Sequence, residues 1–297
     1  ANLFRAIYVD LKQINFGYSQ NFITHTLTNH VELSRALFAL FEAKFDINNK
    51  EHTKAQEPIN KDIIERLEAV SSLDEDRVIS GYLEVIDAMV RTNYYQDNED
   101  YLCFKIQSQK ISFLPKPAPL YEIFMYSARV QGVHLRGGKI ARGGLRWSDR
   151  SEDFRTEVLG LVKAQQVKNT VIVPVGSKGG FVPRSLPAER DKMLAEGVAC
   201  YKLFIQSLLD LTDNIVDGVI VPPQNVIRHD DDDPYLVVAA DKGTASFSDI
   251  ANELSVNHNF WLGDAFASGG SVGYDHKAMG ITARGAWVSV QRHFREM

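Results

Sequence analysis

An α/β fold is predicted for this 297-residue chain: an N-terminal helical module followed by a mixed-sheet α/β domain. Three observations predict it. Apolar residues recur at helical spacing through residues 1–97, the period changes to two at Tyr101, and beyond Gly180 short β-branched runs alternate with longer helical ones. Strands separated by helices favour a parallel or mixed sheet. The polar run Gln96-Asp-Asn-Glu-Asp100 sets the first boundary, giving a helical module at 1–97, an α/β domain at 98–274 and a closing helix at 275–297.

In the first module, Leu33, Leu37, Phe38 and Phe41 share one helical face, and Ile63, Leu67 and Val70 do so again after Pro58. Ser72-Leu-Asp-Glu75 is a capping box for a helix carrying Val78, Tyr82, Val85 and Met89. His25, His30 and His52 lack the spacing of a metal site, so the module reads as structural. From Tyr101, Leu102, Phe104 and Ile106 alternate with Cys103, Lys105 and Gln107; Tyr121 to Tyr126 and Val130 to Leu135 read as two more strands, together an antiparallel part of the sheet.

After Gly180, Leu186 to Leu211 is expected as one long helix, Val216 to Val221 as a buried strand and Tyr235 to Ala240 as another, ending at Asp241-Lys-Gly-Thr244. In such open sheets ligands sit outside the carboxyl ends of the strands, where Lys178 and Asp241 are expected. Arg228-His-Asp-Asp-Asp-Asp-Pro234 reads as a solvated acidic turn, because neighbouring carboxylates in a run cannot easily all face one ion and EF-hand spacing is missing. Asp249 to Leu254 and Gly263 to Phe266 read as helix or loop. Ser268-Gly-Gly-Ser271 then precedes a helix from about Asp275 onward.

Composition bounds the function. With 44% hydrophobic residues the chain can build a substantial core. No run approaches the roughly 18 apolar residues of a membrane span. Cys103 and Cys200 are the only cysteines and lie far apart, which suits a reducing cytoplasm and no disulfide framework. A net charge of -5 and a pI near 5.9 argue against nucleic acid as a partner. The chain opens without methionine and closes inside a helical pattern with no stop signal, so a piece of a longer protein is expected.

Against that acidic background one stretch reverses the sign. From Arg136 to Lys178 there are nine basic residues and four acidic ones, and the glycine pairs Gly143-Gly144 and Gly179-Gly180 read as tight turns or close approaches to a ligand. Between them Ser151 is a candidate N-cap for a helix with Phe154, Val158, Leu161 and Gln165 on one face. Thr170 to Pro174 reads as a buried strand leading into Gly-Ser-Lys178-Gly-Gly. This arrangement is expected to bring Arg142, Gln165, Lys168 and Lys178 to one pocket, where gathered cations repel unless an anion joins them.

Through RGGLRW, QxxKN, VPVGSKGG, ADKGT and SGGS, in that order over roughly residues 100 to 297, the chain resembles the Glu/Leu/Phe/Val dehydrogenase superfamily, most closely the large NAD-specific glutamate dehydrogenases of bacteria. The resemblance implies reversible oxidative deamination of L-glutamate to 2-oxoglutarate with NAD, in a homo-oligomer built from a longer chain. It implies that Arg142 and Gln165 with Lys168 bind substrate carboxylates, that Lys178 is the catalytic lysine and that Asp241 is the proton-transferring carboxylate. The α/β domain is then a substrate domain, truncated before the Rossmann cofactor domain, since no GxGxxG follows a strand.

The chemistry agrees. A dicarboxylate needs two separated cationic clamps, for which arginine offers a fork and lysine a point charge. A partly desolvated Lys178 among cations is expected to lose its proton more readily than an ordinary lysine and to stabilise a developing alkoxide. The smaller glutamate dehydrogenases have lysine where this chain has Arg142, and Lys139 is the alternative distal clamp. Two other readings stand beside this one: a pyridoxal phosphate enzyme using Lys178 as its Schiff base, and a non-catalytic anion-binding or assembly module.

Overall fold

The computed structural model describes residues 2–97, 100–165, 175–241, 243–244, 246–272 and 276–296. Helices α1 (Asn2–Gln13), α2 (Gln20–Asn29), α3 (Val31–Phe45), α4 (His52–Leu67) and α5 (Leu73–Ala88) open the chain. Strands β1 (Met89–Thr92), β2 (Leu102–Ile106), β3 (Tyr121–Tyr126), β4 (Val130–Arg136) and β5 (Ala141–Trp147) follow, then α6 (Phe154–Gln165) and β6 (Val175–Pro183). After α7 (Arg190–Leu209) come β7 (Asn214–Val216), β8 (Val219–Val221), β9 (Val237–Ala240), α8 (Ser248–Asn257) and β10 (Ala267–Ser268). Two helices, α9 (His276–Met279) and α10 (Ile281–Glu296), end the described chain.

The order β1-β2-β3-β4-β6-β5-β9-β10 makes one mixed eight-stranded sheet. Its first half is antiparallel through the β4–β6 pair, and β6, β5, β9 and β10 run parallel. This is the predicted α/β class with helices leading. The Ser72 cap forms as the sequence requires, its hydroxyl accepting from the Glu75 N–H. The helical run stops at Ala88, however, and Met89 begins an edge strand.

Both faces of the sheet are covered. Leu102, Phe104, Phe124, Val133, Leu135 and Val182 pack against α1 to α6, and Cys103, Ile123, Met125, Leu145, Phe181 and Val238 pack against α7 and α8. The alternation expected in β2 is therefore between two buried faces, with all five residues buried. Lys105 can be buried there because anions meet it.

Those anions correct the reading of residues 228–234 as a solvated turn. Asp231 and Asp232 are exposed, but Asp230 and Asp233 are buried among cations from the sheet. Lys105 Nζ lies 2.5 Å from Asp230 and 2.6 Å from Asp233; Arg136 binds Asp233 through two nitrogens at 2.6 and 2.8 Å; Arg91 joins Asp230 at 2.7 Å and Asp213 at 2.9 Å. A four-aspartate run is hydrophilic in sequence, yet its first and last members can face a buried cationic cluster that only the sheet assembles. His229 Nε2 lies 2.7 Å from the Lys44 carbonyl of α3, tying the same loop to the helical layer.

Two further expectations differ. Val216 to Val221 is an exposed hairpin instead of a buried strand, because Asp217 and Gly218 both take positive φ (50° and 79°), the Asp-Gly turn that joins short antiparallel strands. The glycine pairs lie within β5 and β6 instead of in turns, and Lys178 is inside its strand instead of at its end. The glycines are there for room: a Cβ on Gly143 would stand 1.5 Å from the Ser177 carbonyl oxygen, and one on Gly180 would stand 2.8 Å from Val158 of α6. The proposed strand Thr170 to Pro174 lies outside the described residues.

Candidate functional site

Period-two geometry puts Arg142, Gly144 and Arg146 on one face of β5. Lys178 shares that face, since a Cβ on Gly144 would stand 3.0 Å from Lys178 Nζ and 3.1 Å from Asp241 Cβ. Gly144 therefore leaves the space in which the lysine of β6 and the aspartate after β9 meet. Lys178 Nζ lies 2.5 Å from Asp241 Oδ2, with side chains only 11% and 18% exposed. A charged pair this sheltered feels little solvent screening.

The residues after Asp241 hold it in place. Gly243 adopts φ +82°, which a side chain would strain. Thr244 Oγ1 accepts the Asp241 N–H at 3.0 Å and donates to the Leu145 carbonyl at 2.8 Å, pinning the turn onto β5. The parallel register sets Gly144 beside Ala239 and Leu145 beside Ala240, so Asp241 emerges at the carboxyl end of β9. Open α/β sheets bind ligands at this end.

The structure thus brings Lys178 and Asp241 together. Arg142 is half-buried and lies on the same face of β5, its backbone between Gly176 and Val237. Gln165 is the last residue of α6, and Lys168 lies outside the described residues. Lys139 is engaged elsewhere, 2.5 Å from Asp231.

Several other cations of the Arg136–Lys178 stretch are paired with carboxylates. Arg136 is taken by Asp233, Arg146 by Glu157 at 2.6 Å, Arg150 by Asp153, and Arg155 by Glu122 at 2.7 and 2.6 Å. Arg136 and Arg155 are fully buried core ions. Part of the charge excess read from the stretch is therefore structural, and Asp241 is a charged neighbour of Lys178. Sequence reasoning missed Arg146 and Glu157 as parts of the site, although Arg146 stands two residues beyond Gly144 and so on the same face. A cavity of about 520 Å³ lined by Arg5, Tyr8, Lys12, Gln131 and Arg184 contains none of these residues, so chemistry and not cavity size identifies the site.

A sheltered carboxylate and ammonium in contact can exchange protons with a bound molecule and stabilise charge that develops on it. Known proteins carry the same segments. Residues 62–297 match the family described as bacterial NAD-glutamate dehydrogenase, catalytic domain, and residues 1–47 match glutamate dehydrogenase, helical motif 3. The chain is 59% identical over 305 residues to the NAD-specific glutamate dehydrogenase of Pseudomonas aeruginosa and 54% over 316 residues to that of Mycobacterium tuberculosis, with 99% of the chain covered in each case. Identity to the Neurospora crassa NAD-specific glutamate dehydrogenase is 25% over 307 residues, covering 94% of the chain and 28% of that protein. The chain spans 19% of the length of each of these two bacterial proteins. On this match, which covers most of its length, the chain belongs to the bacterial NAD-glutamate dehydrogenase catalytic-domain family.

Proposed function

We propose that the full-length protein catalyses the reversible, NAD-dependent oxidative deamination of L-glutamate to 2-oxoglutarate and ammonia, and that this chain supplies its substrate-binding and acid-base half. The contact between Lys178 and Asp241 carries the reading. Lys178 activates water and stabilises the alkoxide that forms at the substrate's α-carbon, and Asp241 moves the proton to and from the amino group. Arg142 and Gln165 with Lys168 hold the substrate carboxylates. NAD is the two-electron acceptor; no GxGxxG follows a strand in this chain, and the chain alone is expected to be inactive. The enzyme works as a cytoplasmic homo-oligomer in amino-acid catabolism. No described helix is long and apolar enough to cross a membrane. Family membership favours this reading over the pyridoxal phosphate and assembly-module alternatives. Glutamate-dependent NADH formation by the full-length protein tests the proposal, and an absence of turnover overturns it.

Substrate choice rests on Arg142. A side-chain carboxylate in a sheltered pocket needs a cation, and removing one partner of such a pair costs about 3 to 5 kcal/mol when it is buried. Arg142→Ala is therefore expected to raise the KM for glutamate strongly while affecting norvaline much less, because the apolar side chain never used the cation. Equal loss on both substrates would move Arg142 to the main-chain carboxylate or to the fold, leaving Lys139 as the distal clamp.

A further inference from the structure

Arg146 is the next charged group on the face that carries Lys178 and Asp241, and the roles above leave it unused. Its Nη1 donates to Glu157 Oε1 at 2.6 Å, while Nη2 stands 3.9 Å from Asp241 Oδ1. That is beyond hydrogen-bond reach but within the range over which a full charge biases ionisation. Asp241 gives its other oxygen, Oδ2, to Lys178. Glu157 belongs to α6 and is steadied by Ser148 Oγ at 2.7 Å. Arg146 and Glu157 are 19% and 16% exposed, so their charges are only partly screened. Arg146 Nε is buried and has no hydrogen-bond partner among the described residues, so the guanidinium is held from one end.

We infer that Arg146 is a positioning residue for Asp241, held back by Glu157 so that the carboxylate stays with Lys178 while the nearby cation favours its ionised form. The inference rests on the proton-transfer role proposed for Asp241. An arginine free to close on Asp241 would form a forked pair and draw the carboxylate away from Lys178. With no arginine, a sheltered carboxylate would keep Lys178 as its cation and lose the second one. Lys178 from β6 and Arg146 from β5 both face Asp241, Glu157 of α6 stands behind Arg146, and Arg142 lies on the same face of β5.

The test is the pH dependence of kcat/KM for glutamate oxidation by the full-length enzyme, specifically the acidic limb on which Asp241 must be ionised. In Arg146→Gln the lost cation makes Asp241 easier to protonate, so the limb moves up, by about one pH unit. In Glu157→Gln the released guanidinium closes on Asp241, so the limb moves down and kcat falls. The Glu157→Gln shift vanishes when Arg146→Gln is already present, and Arg146→Lys returns the limb toward wild type. A purely structural role would not move the two single variants in opposite directions. Both moving the same way, or neither moving, overturns the inference. If Arg146→Gln does not fold, the downward shift of Glu157→Gln decides, and its absence is fatal. Asp241→Asn separates the two levels of the reading: if it keeps the limb and the rate, the role of Asp241 itself is wrong; if it loses both while the Arg146 and Glu157 variants leave the limb in place, only the positioning role fails.

Discussion

Lys178→Met in the full-length enzyme is expected to slow glutamate oxidation by about a hundred- to ten-thousand-fold, the range general acid-base groups contribute. In the proposed mechanism the ammonium activates water and meets a developing alkoxide, and a methionine of similar length keeps the packing while removing the charge. Asp241→Asn should have a comparable effect, since the amide retains the shape but cannot accept the proton. Both substitutions are expected to leave the sheet register intact, because the ladders that pair β6 and β9 with β5 run through main-chain atoms. Steady-state kinetics with circular dichroism as a folding control read the result. Retention of more than about a tenth of the wild-type rate, outside that range, would remove the assigned role from the residue concerned.

The largest effect on stability is expected away from the site, at Asp233. This side chain is 4% exposed and receives both Lys105 and Arg136. Burial by itself would raise the pKa of its carboxyl, but the charges and hydrogen bonds of Arg136 and Lys105 outweigh it and hold the group well below the usual carboxylate range. A carboxyl depressed on folding contributes stability that is fully present above its unfolded pKa, about 3.9, and that is lost as the pH falls through the lower folded value. Asp233→Asn removes the contribution at every pH and leaves buried cations undercompensated, a loss of about 3 to 5 kcal/mol. Urea unfolding followed by tryptophan fluorescence should show a lower midpoint at pH 7 and a flatter decline toward acid than in the parent chain. Asp232→Asn, on an exposed carboxylate of the same run, should leave the midpoint unchanged. Equal effects of the two variants would restore the picture of a solvated turn.

Much of the architecture was legible because local rules decided it. The Ser72 cap, the helical spacing of Leu33, Leu37 and Phe41, and the strands Tyr121–Tyr126 and Val130–Arg136 depend on neighbours a few residues away. Asp217-Gly218 carried its own hairpin signal, overlooked because the flanking valines looked like core. The glycine pairs show the limit of such signals. Glycine marks close approach as well as turns, and only the neighbouring strand and helix reveal which applies. The same limit hid Asp233, whose cations lie on strands about a hundred residues away.

Side-chain type and motif order are properties of the chain alone, and they sufficed for the α/β class, the family resemblance and the choice of Lys178 and Asp241 as a candidate pair. The spatial arrangement came only with the packed strands. It brought residues 63 positions apart to 2.5 Å by laying β6 and β9 on either side of β5, with Gly144 leaving the gap between them. It also sorted the cations of residues 136–178 into buried core ions, such as Arg136 and Arg155, and site groups, such as Arg146. A charge acts through distance and burial, and neither can be read before the strands have paired.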